Sequence, residues 1–372
     1  MKIGINACII NDHPSGARSR FINLYREIFR QSTGHGYQLF EPSDASLGKY
    51  FKKGDHIHFT KTPLQSDRSF QRLWRGKLFW PCALRREKFS IFETSYFPII
   101  KNRHGATVLT VHDIRYIQFP NFYSKLRGPA ARRVVRSGLR AADLVLTVSE
   151  AMKSEILDFE PETKIQVLPN GISKEFQIMP SERQREQTRK NLRLPSKFIL
   201  SVGHLEKRKN YSKLLEAYSI LKSRGSESNL CIVGAPGDAT NEIQNKIDDL
   251  NIRASVYLFS EVSAEDLAAL FQLCELFVFP SVYEGFGIPL LEAMFYQKPF
   301  VLSDIQVFRE ITKNGAIYFD PYDPVSIADK MELVLSSSEQ RRNLQRLGAE
   351  CLPFYQYENI ARDYLKMVEQ FQ

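Results

Sequence analysis

Short, continuously apolar runs alternate with amphipathic stretches along most of this chain, and that alternation narrows the folds open to it. Strand candidates lie at Lys2–Ile5, Thr107–Val111, Leu144–Val148, Lys164–Leu168, Phe198–Val202, Leu230–Val233, Val256–Phe259, Leu276–Phe279 and Phe300–Leu302. Strands that are apolar on both faces must be covered on both faces, and the intervening helices do this in doubly wound α/β folds with parallel sheets. The stretch Tyr211–Ser223 illustrates the helical signal. Leu214, Leu215, Tyr218 and Leu221 share a face, and Gly225 stands where a C-terminal cap is expected.

With 372 residues the chain is too long for one ordinary core and suits two domains. The polar stretch SERQREQTRKNLRLP, bracketed by Pro180 and Pro195, lacks an apolar stripe and reads as a solvated connector, part of it open to helix on the propensities of Glu, Gln, Arg and Lys. The expected division is 1–172, a linker at 173–195, 196–353, and a C-terminal helix at 354–372 packing back on the first domain. Cys8, Cys82, Cys231, Cys274 and Cys351 are scattered, with no C-x-x-C pair, which fits a reduced, cytoplasmic protein. No secretory signal is read at MKIGINACII, and no run reaches the roughly 18 apolar residues of a spanning helix. The formal charge of +9 favours anionic partners: nucleic acid, phosphorylated ligands or an acidic membrane surface.

The most informative stretch is FVFPSVYEGFGIPLLEAMFYQ, Phe277–Gln297. An apolar strand ends at Pro280, a loop carries Glu284, Gly285, Phe286 and Gly287, and a helix begins near Ile288 with Pro289 in its first turn. Glycines let the backbone approach a ligand, and the helix start offers free N–H groups and a positive dipole end to an anion such as a diphosphate. Glu284 and Glu292, with seven residues between them, are placed to face the crevice beyond the strand end and to accept hydrogen bonds from vicinal hydroxyls. A lone carboxylate is usually just solvated; the strand, glycine and helix context argues otherwise here. In SVGHLEKRKN, Gly203 is followed by a basic cluster in which Lys209, assisted by Arg208, can reach a diphosphate. A strand also ends in His112-Asp113 within TVLTVHDIRYIQFP, and Gly16 opens a helix in SGARSRFINL.

These motifs together resemble the retaining family-4 glycosyltransferases of GT-B fold, whose hallmark is a Glu, seven residues, Glu pattern in an EGFG-x-P-x-x-EA setting. The resemblance covers nearly the whole chain and is strongest from Phe198 to Asp320. It implies two Rossmann-like domains facing a central cleft. It further implies that Glu284 contacts the donor sugar, Glu292 the ribose, Gly285–Gly287 the sugar and phosphate, and Lys209 the diphosphate. His112 and Asp113 would approach the reacting sugar, and Gly16 the phosphate and acceptor. Where some members place an arginine after the glycine, His204 or Leu205 stands here, and Arg18 takes the place of a second glycine in the first loop.

The expected activity is metal-independent, retaining transfer of a hexose from a nucleoside-diphosphate sugar to a growing, lipid-linked glycan, as in polysaccharide or O-antigen assembly. No cofactor is expected. GDP-mannose is the favoured donor on a likeness to bacterial polysaccharide mannosyltransferases, since no base-reading residue identifies it.

Between Arg68 and Lys88, basic residues interleave with Phe70, Trp74, Phe79 and Trp80, and Lys125 to Arg140 adds more basic residues and no acid. This composition suits peripheral docking on anionic lipid at the inner face of the cell membrane; a solvated charged face is the plainer reading. Rival functions are a basic nucleic-acid-binding module without catalysis, a hydrolase acting on the same donors, and a dehydrogenase. The last is disfavoured because SGARSR is not the G-x-G-x-x-G of a dinucleotide fold.

Overall fold

The computed structural model describes residues 1–12, 15–52, 54, 56–118 and 127–371. Pro120 and Lys125 lie outside the described residues, as does the side chain of Phe70. The chain divides into two compact units, Met1–Gly171 with Tyr357–Gln372, and Ile172–Gln356.

The first unit runs β1 (Lys2–Asn6), α1 (Gly16–Gln31), β2 (Gly36–Glu41), β3 (Ile57–Lys61), α2 (Ser69–Glu87), β4 (Ile91–Thr94), β5 (Ala106–Val111), α3 (Arg115–Gln118), α4 (Arg127–Ala141), β6 (Leu144–Thr147), α5 (Glu150–Phe159) and β7 (Ile165–Val167). Its seven-stranded sheet has the order β3-β2-β1-β4-β5-β6-β7, with parallel pairing throughout. The second unit runs α6 (Glu182–Asn191), β8 (Phe198–Val202), α7 (Tyr211–Ser223), β9 (Asn229–Val233), α8 (Thr240–Asp249), β10 (Val256–Phe259), α9 (Ala264–Leu273), β11 (Leu276–Phe279), α10 (Ile288–Phe295), β12 (Phe300–Ser303), α11 (Gln306–Ile311), β13 (Ile317–Phe319), α12 (Pro324–Ser336) and α13 (Ser338–Cys351). Its six-stranded parallel sheet has the order β10-β9-β8-β11-β12-β13. Both are Rossmann-like. Every residue of β8, β11 and β12 is buried, the two-sided coverage that their unbroken apolar runs require.

The last helix, α14 (Tyr357–Glu369), lies against α1 in the first unit. Ile360, Ala361, Tyr364, Met367 and Val368 enter the core formed by Ile3, Ile5, Tyr25, Ile28 and Leu39. Burying each large apolar side chain of this set contributes about 1.5–3 kcal/mol. The Tyr364 ring meets the edge of Tyr25 at 6.3 Å, and Gln31 donates to the Glu358 carbonyl at 2.9 Å.

The segment 173–195, read above as a connector, contains a regular helix of the second unit. Ser181 and Gln184 close a reciprocal cap at the start of α6, and Thr188 on its inner side donates to Asp266 of α9 at 2.6 Å. A polar anchor here does the work of an apolar stripe, which is why hydrophobic periodicity gave no signal. Strands β2, β3, β4 and β13 also escape the sequence reading. They are short or carry polar residues such as Gln38, His58 and Glu93.

Candidate functional site

The strand order of the second unit explains how its functional residues meet. β8 and β11 are neighbours, but the chain leaves them in opposite directions across the sheet. That is the switch point at which the carboxyl ends of parallel strands leave a crevice. The loop after β8 brings Gly203, Arg208 and Lys209; the loop after β11 brings Glu284 to Gly287. The loops are tied together by Val282 N–H donating to the Arg208 carbonyl at 2.9 Å. Asn210, in the left-handed region at φ +60°, bridges the carbonyls of Pro280 at 3.1 Å and Pro321 at 2.7 Å.

Glu284 is the centre of this arrangement. One carboxylate oxygen accepts from Lys209 Nζ at 2.5 Å and Ser281 Oγ at 2.7 Å, and the other accepts from Arg208 Nη1 at 2.8 Å. Arg208 also donates through Nε to Glu206 at 2.7 Å. Burial pushes the Glu284 carboxyl up, but Lys209 and Arg208 outweigh it and hold the group down at about 2. Burial draws the Lys209 ammonium down while Glu284 opposes it. Lys209 Nζ also stands 5.3 Å from the centroid of the Phe279 ring. Gly203 has φ +155°, and a Cβ there would meet Lys209 Cε at 3.1 Å and the Tyr211 hydroxyl at 3.2 Å. Glycine therefore lets Lys209 lie flat across the strand end, where Tyr211 donates to the Gly203 carbonyl at 2.8 Å.

Gly287 opens α10 with φ +143°, without a side-chain cap and with proline in the first turn. The start of α10 thus keeps its positive end open for an anion. Phe286 beside it is buried edge-on against Tyr355 at 5.6 Å. Glu292, within α10, is only 5% exposed. Among the described residues its carboxyl has no ionic or hydrogen-bonding partner, and burial alone pushes it up to about 8. The two glutamates thus occupy opposite electrostatic states: one fixed as an anion, the other held as a neutral acid near neutral pH.

In the first unit, Gly16 is the first residue of α1, where the Ser15 hydroxyl accepts from Arg18 N–H at 3.2 Å. Arg18 donates to the Tyr50 hydroxyl at 2.7 Å and lies over its ring, which stiffens this turn. His112 follows β5 and lines a pocket with Asn6, Arg20, Glu93 and Thr110 at the carboxyl ends of β1, β4 and β5. Burial and the Arg20 guanidinium push the His112 imidazole down to about 3, so it is neutral at physiological pH. Asp113 caps the short α3 by accepting from Arg115 N–H at 3.4 Å. The structure therefore brings Gly203, Arg208, Lys209 and Glu284 together at the strand ends of the second unit, with Gly285, Phe286 and Gly287 following Glu284 in its loop and Glu292 buried within α10 of the same unit, and places Gly16, His112 and Asp113 on the other.

Several contributors were not anticipated. Glu206 and Ser281 complete the hydrogen bonds around Arg208 and Glu284, and neither carries a spacing signal. Arg20 is 3% exposed and donates through Nη1 to the Pro169 carbonyl at 2.6 Å and Asn170 Oδ1 at 2.9 Å. A signal for it did exist, because Arg20 shares the apolar stripe of Leu24 and Ile28 in α1, and a cation on such a stripe needs a partner. Among the described residues no three His, Cys, Asp or Glu side chains gather as a metal ion would require. No described helix is long and apolar enough to cross a membrane.

Comparison with known proteins agrees with this division. Residues 14–176 match the Glycosyltransferase Family 4 model and residues 182–350 match Glycosyl transferases group 1. O-antigen chain mannosyltransferase RfbU of Salmonella typhimurium is 32% identical over 235 residues, covering 62% of this chain and 60% of its own length. The match thus spans less than two thirds of that relative. O-antigen chain mannosyltransferase B of Escherichia coli is 27% identical over 342 residues, 90% of this chain and 89% of its own. Sucrose-phosphate synthase from Thermosynechococcus elongatus superposes with a TM-score of 0.79 at 16% identity, over 99% of this chain and 98% of its own, a likeness of fold. With both of its units matched in turn by these models, and with this architecture, the chain belongs to the glycosyltransferases of GT-B fold.

Proposed function

We propose that this protein transfers a hexose, with retention of configuration, from a nucleoside-diphosphate sugar to a growing, lipid-linked glycan on the cytoplasmic side of the membrane. Mannose from GDP-mannose is the favoured donor, a choice supported by the names of the O-antigen relatives. The observation that carries the reading is the carboxylate of Glu284 held between Lys209 and Arg208 beside the open start of α10. In this reading an incoming diphosphate takes over Lys209 and Arg208. Glu284, relieved of both cations, turns to the sugar hydroxyls, and Glu292 accepts the ribose.

The bond from the anomeric carbon to the β-phosphate oxygen breaks, and the acceptor oxygen bonds to that carbon from the same face. The acceptor proton passes to the departing phosphate. The growing negative charge is stabilised by Lys209, Arg208 and the α10 amides, groups already oriented before reaction, in place of a metal ion. His112, neutral, offers a hydrogen bond to the sugar rather than a charge.

The test is a screen of nucleotide sugars for thermal stabilisation, followed by product analysis by NMR with the best donor. A ligand at one hundred times its Kd adds about 2.7 kcal/mol. GDP-mannose should give the largest shift, the product should keep the donor's anomeric configuration, and chelator should leave turnover unchanged. Failure of every nucleotide sugar to stabilise the protein would overturn the reading. Release of free sugar without transfer would favour a hydrolase.

A further inference from the structure

Helix α2 presents to solvent a face that a soluble core has no use for. Leu78 is 79% exposed, Trp74 59% and Leu73 37%. Gly76, Trp80 and Leu84 form its buried side, Trp80 and Leu84 packing with Phe40, Phe89 and Phe92. Trp74, Leu78, Pro81, Cys82 and Arg85 recur on the outer face at spacings of three to four residues, and all are exposed. No acidic residue occurs between Arg68 and Arg86, whereas Arg72, Arg75, Lys77, Arg85 and Arg86 lie on the same helix. Lys77 Nζ stands 5.2 Å from the Trp74 ring centroid, an arrangement in which a cation rides beside an aromatic body.

The other basic helix has a different fate. On α4, Arg136 and Arg140 pair with Glu160 at 3.2 and 2.8 Å, and Arg132 and Arg136 lie over the Phe159 ring at 5.2 and 4.7 Å. Those charges serve the fold. On α2 only Arg75 of the outward charges is tied to the fold, by a bond to the Pro63 carbonyl at 3.2 Å, whereas Arg85 and Arg86, in its last turn, are exposed and carry no ion pair among the described residues.

We propose that α2 is a membrane-docking element whose Trp74–Leu78 face enters the headgroup boundary of an anionic phospholipid bilayer, while Arg75, Lys77, Arg85 and Arg86 meet the lipid phosphates. The pairing of cations with aliphatic surface identifies the partner. Phosphates alone would account for the arginines, and a single-stranded nucleic acid would stack on Trp74. Neither offers anything to Leu78, Leu73 and Pro81, whereas an acyl-chain boundary does. The inference stands apart from the reading of the donor site, because it uses none of the residues assigned there.

The two tryptophans supply a direct readout, since Trp80 is fully buried and Trp74 is exposed. Adding phosphatidylglycerol-containing vesicles should shift the emission to the blue and protect it from aqueous quencher, and Trp74→Phe should abolish both changes. In sedimentation with the same vesicles, Leu78→Glu should bind roughly tenfold more weakly or worse. Arg85→Gln with Arg86→Gln should lose roughly fivefold per charge removed, with an effect that vanishes at high salt. Unchanged melting temperatures would establish that the variants are folded. Absence of a Trp74 shift on anionic vesicles, wild-type affinity in Leu78→Glu, or tight oligonucleotide binding without vesicle binding would each overturn the proposal.

Discussion

Replacing Glu292 with glutamine should make the protein more stable while making it a poorer catalyst, and the gain in stability should depend on pH. Its carboxyl is raised from 4.5 to about 8 by burial, with no partner to offset the cost. Folding therefore favours the protonated form. Its stability is intact below the ordinary carboxyl range and is lost as pH rises from 4.5 towards 8. Across that window the unfolded chain gains about 1.4 kcal/mol per pH unit by ionising this group. The penalty is below about 1 kcal/mol at pH 5, roughly 3 kcal/mol at pH 7, and levels off near 5 kcal/mol above pH 8. Glutamine has the same shape and does not ionise, so it removes the penalty. For a unit of this size the gain at pH 7 corresponds to a rise of about 5–10 °C in melting temperature. Calorimetry of both proteins between pH 5 and pH 9 would measure the divergence. A difference in melting temperature that stays constant across that range would refute the reasoning, since a pH-independent effect cannot come from ionisation of this carboxyl. If the donor screen succeeds, glutamine should also weaken donor binding, the expected cost of a destabilised residue kept for function.

Lys209→Ala should lower turnover roughly a hundredfold or more, because it removes the charge that meets the leaving diphosphate; full activity in that variant, measured with the identified donor, would discard its assignment. Gly287→Ala should cost about 1–3 kcal/mol, since it forces φ +143° on a side-chain residue and sets a Cβ 3.0 Å from Phe308 Cε1; thermal denaturation would show it. His112 should not titrate between pH 8 and pH 5 in an NMR experiment assigned with His112→Asn. Its pKa is depressed to about 3, so the stability it contributes is present in full above its ordinary value near 6.5 and is lost progressively as pH falls from 6.5 towards 3.

The parts of the protein legible in its sequence were those where one physical signal dominates. β8, β11 and β12 are buried on both faces and announce themselves as unbroken apolar runs. Glu284 stands beside Gly285 past the end of β11, Lys209 follows Gly203 past the end of β8, and Glu292 lies in the helix that Gly287 opens. What could not be read was set by pairing across the chain. Nothing local says that Arg208 bonds both Glu206 and Glu284, or that Glu292 lacks a partner where Glu284 has three donors. β4 hid because its four residues include Glu93, a carboxylate that the fold accommodates by a hydrogen bond from Tyr25. α6 showed only as a helical propensity in a polar connector, and its docking went unread because Thr188 and Asp266 supply the anchorage.

The placement of α14 means that the first half of the molecule is not built from the first half of the chain. Tyr364, Ile360 and Met367 are made only after the whole of the second unit, yet they close the wall behind α1. The second unit, whose residues lie in one uninterrupted span, can settle while the earlier-made one still waits with Tyr25 and Ile28 open to water. A fragment cut after Gly171 would keep that wound permanently, and any change that disturbs the last two turns of α14 would be felt at Arg20 and His112, which line one pocket with Tyr364.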